Sequence, residues 1–173
     1  MAPMSTWFDS LAHHPRRWLL LLVLVCAGMF AYGAYLQHVV GLQPCPMCVV
    51  QRYALMGVGL LALLTAVFAQ RLVHLVGLAA IVLMAGFGAF TAARQSWLQW
   101  YPPEFVTCGR DFYGMIASFP LERLIPMLFS GSGDCAKVDW TFLGLTIANW
   151  SFLVFTGMAL LALALFVALL RRR

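Results

Sequence analysis

Four cysteines of this 173-residue chain lie outside its long apolar runs, and they carry the strongest chemical signal in it. Cys45 and Cys48 form a C-x-x-C within QHVVGLQPCPMC, while Cys108 and Cys135 stand far apart in a later polar segment. A fifth, Cys26, falls inside an apolar run and reads as a small hydrophobe. Four clustered thiols can staple a chain, bind a metal or exchange electrons. Magnitudes separate the first use from the last. Closing the 28-residue loop from Cys108 to Cys135 would stabilise by roughly 3 to 4 kcal/mol, which makes a staple plausible there. The short ring of a C-x-x-C gains only about 2 kcal/mol, and its tight geometry favours reduction. That pair is better suited to exchange than to stapling.

Position sharpens the point. Pro46 and the following VVQRYALM place Cys48 in the first turn of a helix, where unsatisfied backbone N–H groups and the positive end of the helix dipole favour a thiolate. Arg52 follows at i+4, on the same helical face and about 6 Å further along the axis, so its guanidinium reinforces that charge. Arg52 could equally snorkel to lipid headgroups as a topology anchor, and its register with Cys48 is what favours the functional reading.

The elements that position these residues are membrane helices. Hydrophobic residues make up 63% of the chain and charged ones 10%, so most of its solvent must be lipid. Four runs are long enough to cross about 30 Å of hydrocarbon, at about 18–36, 53–69, 72–93 and 147–170. The expected fold is all-α, a four-transmembrane-helix bundle forming a single membrane domain over residues 1–173. Little more than Gln70 and Arg71 joins the second run to the third, which forces an antiparallel hairpin.

Basic residues set the orientation. Arg16, Arg17, Arg71 and Arg171 to Arg173 share one side with only Asp9 to oppose them, so both termini are expected in the cytoplasm. The other side holds Arg94, Arg110, Arg123 and Lys137 together with Glu104, Asp111, Glu122, Asp134 and Asp139, and is nearly neutral. The net charge of +5 is therefore an insertion signal and not a nucleic-acid patch. A cleavable signal peptide in the first run is disfavoured, because its loss would leave an odd number of spans and spoil the arginine bias.

Two loops then face the periplasm, a short one over about 37–48 and a long one over about 94–146. Within the long loop Phe112 to Phe129 is apolar between prolines, as a short helix lying on the membrane surface would be. Disulfides persist on that side, so the four loop cysteines read as two bridges. A zinc site is disfavoured, since periplasmic thiols oxidise and no histidine is well placed as a ligand; no metal is expected.

The segment LQHVVGLQPCPMCVVQRYAL, from Leu36 to Leu55, resembles the first periplasmic loop of the DsbB family of bacterial inner-membrane disulfide-bond-forming proteins. YPPEFVTC, ending at Cys108, and SGDCAKVDWTFLGL, around Cys135, resemble blocks of its second loop, and the likeness extends to span count and orientation. This family is the established example of a periplasm kept oxidising through a quinone. The resemblance implies a soluble DsbA-type thioredoxin-fold partner as electron donor and ubiquinone or menaquinone as acceptor. It implies redox disulfides Cys45–Cys48 and Cys108–Cys135. Cys108 would take the partner's attack, Cys135 would be released, and Cys48 would face the quinone ring with Arg52 polarising a ring carbonyl. Many relatives carry a histidine near the start of the long loop that is linked to the quinone, and here that position is Gln95, which can donate a hydrogen bond but cannot carry a proton.

The competing class is a non-catalytic tetraspan protein whose disulfides staple its loops for partner recognition. It predicts bridges inert to mild reductant. A nearer competitor, an enzyme related in logic to vitamin K epoxide reductase, is disfavoured because its reactive C-x-x-C is expected on the last span, whereas here it precedes the second.

Overall fold

The computed structural model describes residues 14–68, 70–102 and 135–171. Four long helices carry it: α1 (Pro15–His38), α2 (Pro46–Val67), α3 (Arg71–Trp100) and α4 (Ile147–Arg171). All four are long and apolar enough to cross a membrane, and the protein is a four-helix membrane bundle. Cys108 and the apolar segment Phe112 to Phe129 lie outside the described residues.

Local chemistry explains where the helices start and stop. Proline opens α1 and α2 at a position whose N–H would have no helical partner. Cys45 is the N-cap of α2, its Sγ accepting from the backbone N–H of Cys48 at 3.3 Å. This helix starts at Pro46, well before Tyr53, because Pro46 is pre-organised for the first turn and no breaker follows it. α3 overruns its expected end at Ala93 and continues to Trp100. Arg94, Gln95, Ser96 and Gln99 are polar but helix-compatible, and only Pro102 stops the chain. Gln95 is thereby a helical residue and not a loop residue.

A small hairpin leads into α4. β1 (Thr141–Phe142) pairs antiparallel with β2 (Leu145–Thr146), in the register Thr141 to Thr146 and Phe142 to Leu145. Its turn, Leu143 and Gly144, has positive φ at both residues (53° and 76°), the form whose twist suits a two-residue hairpin. Thr146 Oγ1 then accepts from the Asn149 N–H at 3.3 Å, capping α4, and donates to Gln99 Oε1 at 2.7 Å, tying the hairpin to α3.

The core runs along the bundle axis through Leu22, Cys26, Ala54, Val58, Ala62, Leu78, Ile81, Ala85, Met158, Ala162 and Leu165. Glycines allow close approach where association in lipid depends on packing. A Cβ on Gly77 would stand 2.0 Å from Thr65 Oγ1, and one on Gly88 2.5 Å from Phe155 Cε1. Outward leucines such as Leu83, 75% exposed, meet lipid tails. The principal helix contacts run α1 to α2, α2 to α3 and α3 to α4. Between α1 and α4, at the end that carries the cysteines, the bundle parts around a cavity.

Candidate functional site

The site is built on the mouth of α2. With Cys45 at the N-cap and Cys48 in the first turn, one helical turn brings their Sγ atoms to 2.8 Å, as a thiol pair. Cys135, buried to 1% exposure, returns from the far end of the long loop to sit with Cys45 and Met47. Its thiol hydrogen-bonds with Cys45. That bond first, then the one with Cys48, then burial, pushes the Cys45 thiol above its usual range.

Gln95 reaches in from the last turns of α3. Its Nε2 donates to both sulfurs, at 3.2 Å to Cys45 Sγ and 3.2 Å to Cys48 Sγ. Gln95 Oε1 accepts from Gln51 Nε2 at 2.7 Å, and both amides are buried. The two sulfurs therefore share one donor group, which comes from a helix other than their own.

Arg52 lies one turn beyond Cys48, as the i+4 spacing requires, but its guanidinium is anchored across to α1. Nη1 donates to Gln37 Oε1 and Nη2 donates to Gly33 O at 3.2 Å. From that anchorage its charge acts through space on Cys48 and Cys45.

All of these groups except Met47 and Cys135 border a single cavity of about 360 Å³, within the range of small-molecule sites. Cys45, Cys48, Gln51, Arg52 and Gln95 form its polar end, and Met29, Leu36, Leu55, Val154 and Phe155 form its apolar flank. Aromatic side chains edge it. Tyr32 meets Trp140 edge-on at 6.2 Å, Trp140 stacks on Phe142 at 6.0 Å, and Trp150 donates its Nε1–H to Phe142 O at 3.1 Å. Lys137 and Asp139, paired at 2.8 Å, also border it.

Of the residues singled out from sequence, the fold brings together Cys45, Cys48, Arg52, Gln95 and Cys135, while Cys108 falls outside the described residues. Sequence reasoning missed Gln51, Gln37 and the α4 wall of the cavity. Gln51 carried a usable signal, since an uncharged polar residue between Cys48 and Arg52 in a membrane helix needs a buried partner. Phe155 carried none, being one apolar residue among many in α4.

A membrane helix bundle with a thiol pair at a helix mouth, facing a cavity that is polar at one end and apolar along its flank, defines a membrane redox protein of the disulfide-forming class. Comparison with known proteins makes this particular. Residues 15–165 match the family Disulfide bond formation protein DsbB. The chain is 61% identical to Disulfide bond formation protein B of Polaromonas sp. strain JS666, over 97% of this chain and 98% of the relative. Identity is 60% to the protein of the same name from Polaromonas naphthalenivorans (96% and 99% covered) and 47% to that from Aromatoleum aromaticum (90% and 94% covered). The chain belongs to the DsbB family, and its role lies in oxidative disulfide formation.

Proposed function

We propose that the protein reoxidises a periplasmic thioredoxin-fold dithiol protein of the DsbA type and delivers the two electrons to a membrane quinone, ubiquinone or menaquinone. It is on this reading a thiol:quinone oxidoreductase of the bacterial inner membrane. The bias of Arg16, Arg17, Arg71 and the C-terminal arginines supports a topology with both termini in the cytoplasm and the cysteine end in the periplasm.

The observation that carries the reading is the order of the sulfurs. Cys135 meets Cys45, Cys45 meets Cys48, and Cys48 borders the cavity. In the oxidised protein one disulfide joins Cys45 to Cys48 and another joins Cys108 to Cys135. A partner thiolate attacks Cys108 Sγ, that disulfide breaks, and Cys135 leaves as a thiolate. Cys135 Sγ attacks Cys45 Sγ, forming a new S–S bond and releasing Cys48 as a thiolate. The partner's second thiolate then cleaves the mixed disulfide, which oxidises the partner and frees Cys108. Cys108 attacks Cys135, restoring their bond and leaving Cys45 and Cys48 reduced by the two electrons the partner lost. Cys48 is a suitable leaving group, because it stands in the first turn of α2, at the positive end of the helix dipole, and Gln95 Nε2 points a donor at it.

The cavity fits a quinone on two counts. Its polar end presents the Arg52 guanidinium, whose N–H groups suit ring carbonyl oxygens, and its apolar flank suits a ring face and an isoprenoid tail. A bound quinone supplies the acceptor for two electrons and two protons when the Cys45–Cys48 bond re-forms. Arg52, held in place by Gln37 and Gly33, is the residue that would hold it, with Gln95 beside it at the polar end of the cavity.

The test is turnover in detergent with reduced DsbA-type partner and a soluble ubiquinone. The wild type is expected to reduce the quinone, and Cys48→Ser is expected to reduce none above background. Equal rates in the two would remove Cys48 from the reaction and overturn the reading.

A further inference from the structure

We propose that Gln51 is a positioning residue, which locks the side-chain amide of Gln95 in the one orientation that aims its N–H groups at the sulfurs of Cys45 and Cys48. The proposal rests on the reading of Cys48 as the thiolate of the exchange pair.

An amide side chain is nearly symmetric in shape and opposite in chemistry at its two ends, since one is a pure acceptor and the other a pure donor. Turned one way at this site, Gln95 offers N–H groups to sulfur, which suits a thiolate. Turned the other way it offers a carbonyl oxygen, which suits a protonated thiol and repels a charged one. Packing alone cannot choose between them, because a half-turn about the last bond changes the volume hardly at all. What is needed is a neighbour that presents a donor to the carbonyl end.

Gln51 meets that need. It sits one turn along α2 from Cys48, it is buried to 6% exposure, and its Nε2 donates to Gln95 Oε1 at 2.7 Å. That bond occupies the carbonyl end of Gln95 and leaves Nε2 at 3.2 Å from each sulfur. Gln95 Oε1 lies farther from Cys48 Sγ, at 3.7 Å, where it accepts from the thiol when that sulfur carries its proton. Two neutral side chains on two helices thus form a relay that ends in donors at the sulfurs, in a setting where an unpaired buried amide would be costly. Among the described residues the hydrogen bond of Gln51 runs to Gln95 and not to a sulfur, so its effect on Cys48 passes through Gln95.

A double-mutant cycle on site-resolved alkylation tests this. Fully reduced full-length protein in detergent is treated with iodoacetamide at pH 7 without partner or quinone, and modification of Cys48 is followed by mass spectrometry. The variants are Gln51→Met, Gln95→Met and the double substitution. Methionine is close in volume and apolar, and replacing a bonded pair by apolar groups of similar shape is close to neutral for folding. A hydrogen bond to a charged acceptor is lost with Gln95→Met, so Cys48 alkylation is expected to slow about tenfold or more. Gln51→Met is expected to slow it severalfold, and the double variant no more than Gln95→Met alone. Unchanged alkylation in Gln51→Met, or two losses that multiply in the double variant, would overturn the proposal. Because no partner or quinone is present, such a failure would leave the turnover test of Cys48→Ser standing; loss of that turnover test would likewise leave the cycle readable.

Discussion

At the end of the bundle that carries Arg71, Gly77 lies so near Thr65 that a single added methyl would stand 2.0 Å from the hydroxyl, whereas at the opposite end α1 and α4 part around about 360 Å³ of space. The same helices run through both regions. At the arginine end side chains bond to backbone carbonyls: Thr65 Oγ1 donates to Leu61 O at 2.6 Å within α2, and Arg71 Nη2 donates across to Leu169 O at 2.9 Å, satisfying a carbonyl in the last turn of α4. At the cysteine end the polar groups of Gln51, Arg52 and Gln95 bond across from one helix to another and border the cavity. One region holds the bundle closed and the other holds a polar cluster open to a ligand, so stability and chemistry are set by different residues. The division can be broken or sharpened by substitutions placed on either side of it.

The largest effect is expected from Cys135→Ala. On the proposed route no exchange reaches Cys45 without that sulfur, and partner-dependent quinone reduction is expected to fall at least a thousandfold, while the midpoint of thermal inactivation moves little. Activity within tenfold of wild type would place Cys135 off the route. Gly77→Ala is expected to do the reverse. The new methyl meets Thr65 Oγ1, Cγ2 and Cβ at 2.0, 2.8 and 3.0 Å, so rotation of Thr65 cannot clear it and the α2 and α3 backbones must separate. Overpacking of this kind costs about 1 to 3 kcal/mol, read as a lower thermal midpoint with unchanged turnover per folded molecule. A fall in turnover as large as that for Cys135→Ala would abolish the distinction between the two ends.

Gly88→Ala probes the boundary. Its methyl would meet the Phe155 ring at 2.5 to 2.8 Å, and Phe155 borders the cavity. A rigid ring can yield only as a body. Displacement into the cavity is expected to raise the KM for quinone about three- to tenfold alongside a stability loss of roughly 1 to 3 kcal/mol. An unchanged KM would mean that the ring yields away from the cavity.

Much of this division can be read from the residues before any fold is known, and the reason is physical. Lipid imposes length and apolarity on every span, so the four helices announce themselves. Cys45, Cys48 and Arg52 are likewise local, because helix geometry alone fixes what stands one turn from what. The meeting of Cys135 with Cys45 and the hold of Gln95 on both sulfurs come from the packing of α3 and the returning loop against α2, which no local period encodes. Gln95 shows the limit most clearly, since the polar run after Ala93 resembles a loop until Pro102 is recognised as the first true helix breaker. The hairpin at 141–146 was equally hidden, because Leu143 adopts positive φ where glycine or asparagine would be expected.

Leu143 supplies a smaller effect of opposite sign. Its side chain is 77% exposed and its φ is 53°, a conformation that costs a residue with a Cβ about 1 kcal/mol or more. Leu143→Gly relieves that strain but adds freedom to the unfolded chain, so a net gain of at most about 0.5 kcal/mol is expected, seen as a slight rise in thermal midpoint. A lower midpoint would mean that the leucine side chain holds the hairpin by a contact stronger than the strain.

The smallest functional effect is expected at Cys26. It lies in the core of α1 at 4% exposure, and a Cβ on Gly59 would stand 3.2 Å from its own Cβ, so it fills the seam between α1 and α2 as a small apolar group. Cys26→Ala removes one sulfur atom from that seam and is expected to cost about 1 kcal/mol with no change in turnover. The variant bears on the comparison because Cys26 is a thiol on the same helix that anchors Arg52 through Gly33 and Gln37. Were turnover to fall with Cys26→Ala while stability held, electrons would have to reach a sulfur buried in the closed half of the bundle, and chemistry could no longer be assigned to the cysteine end alone.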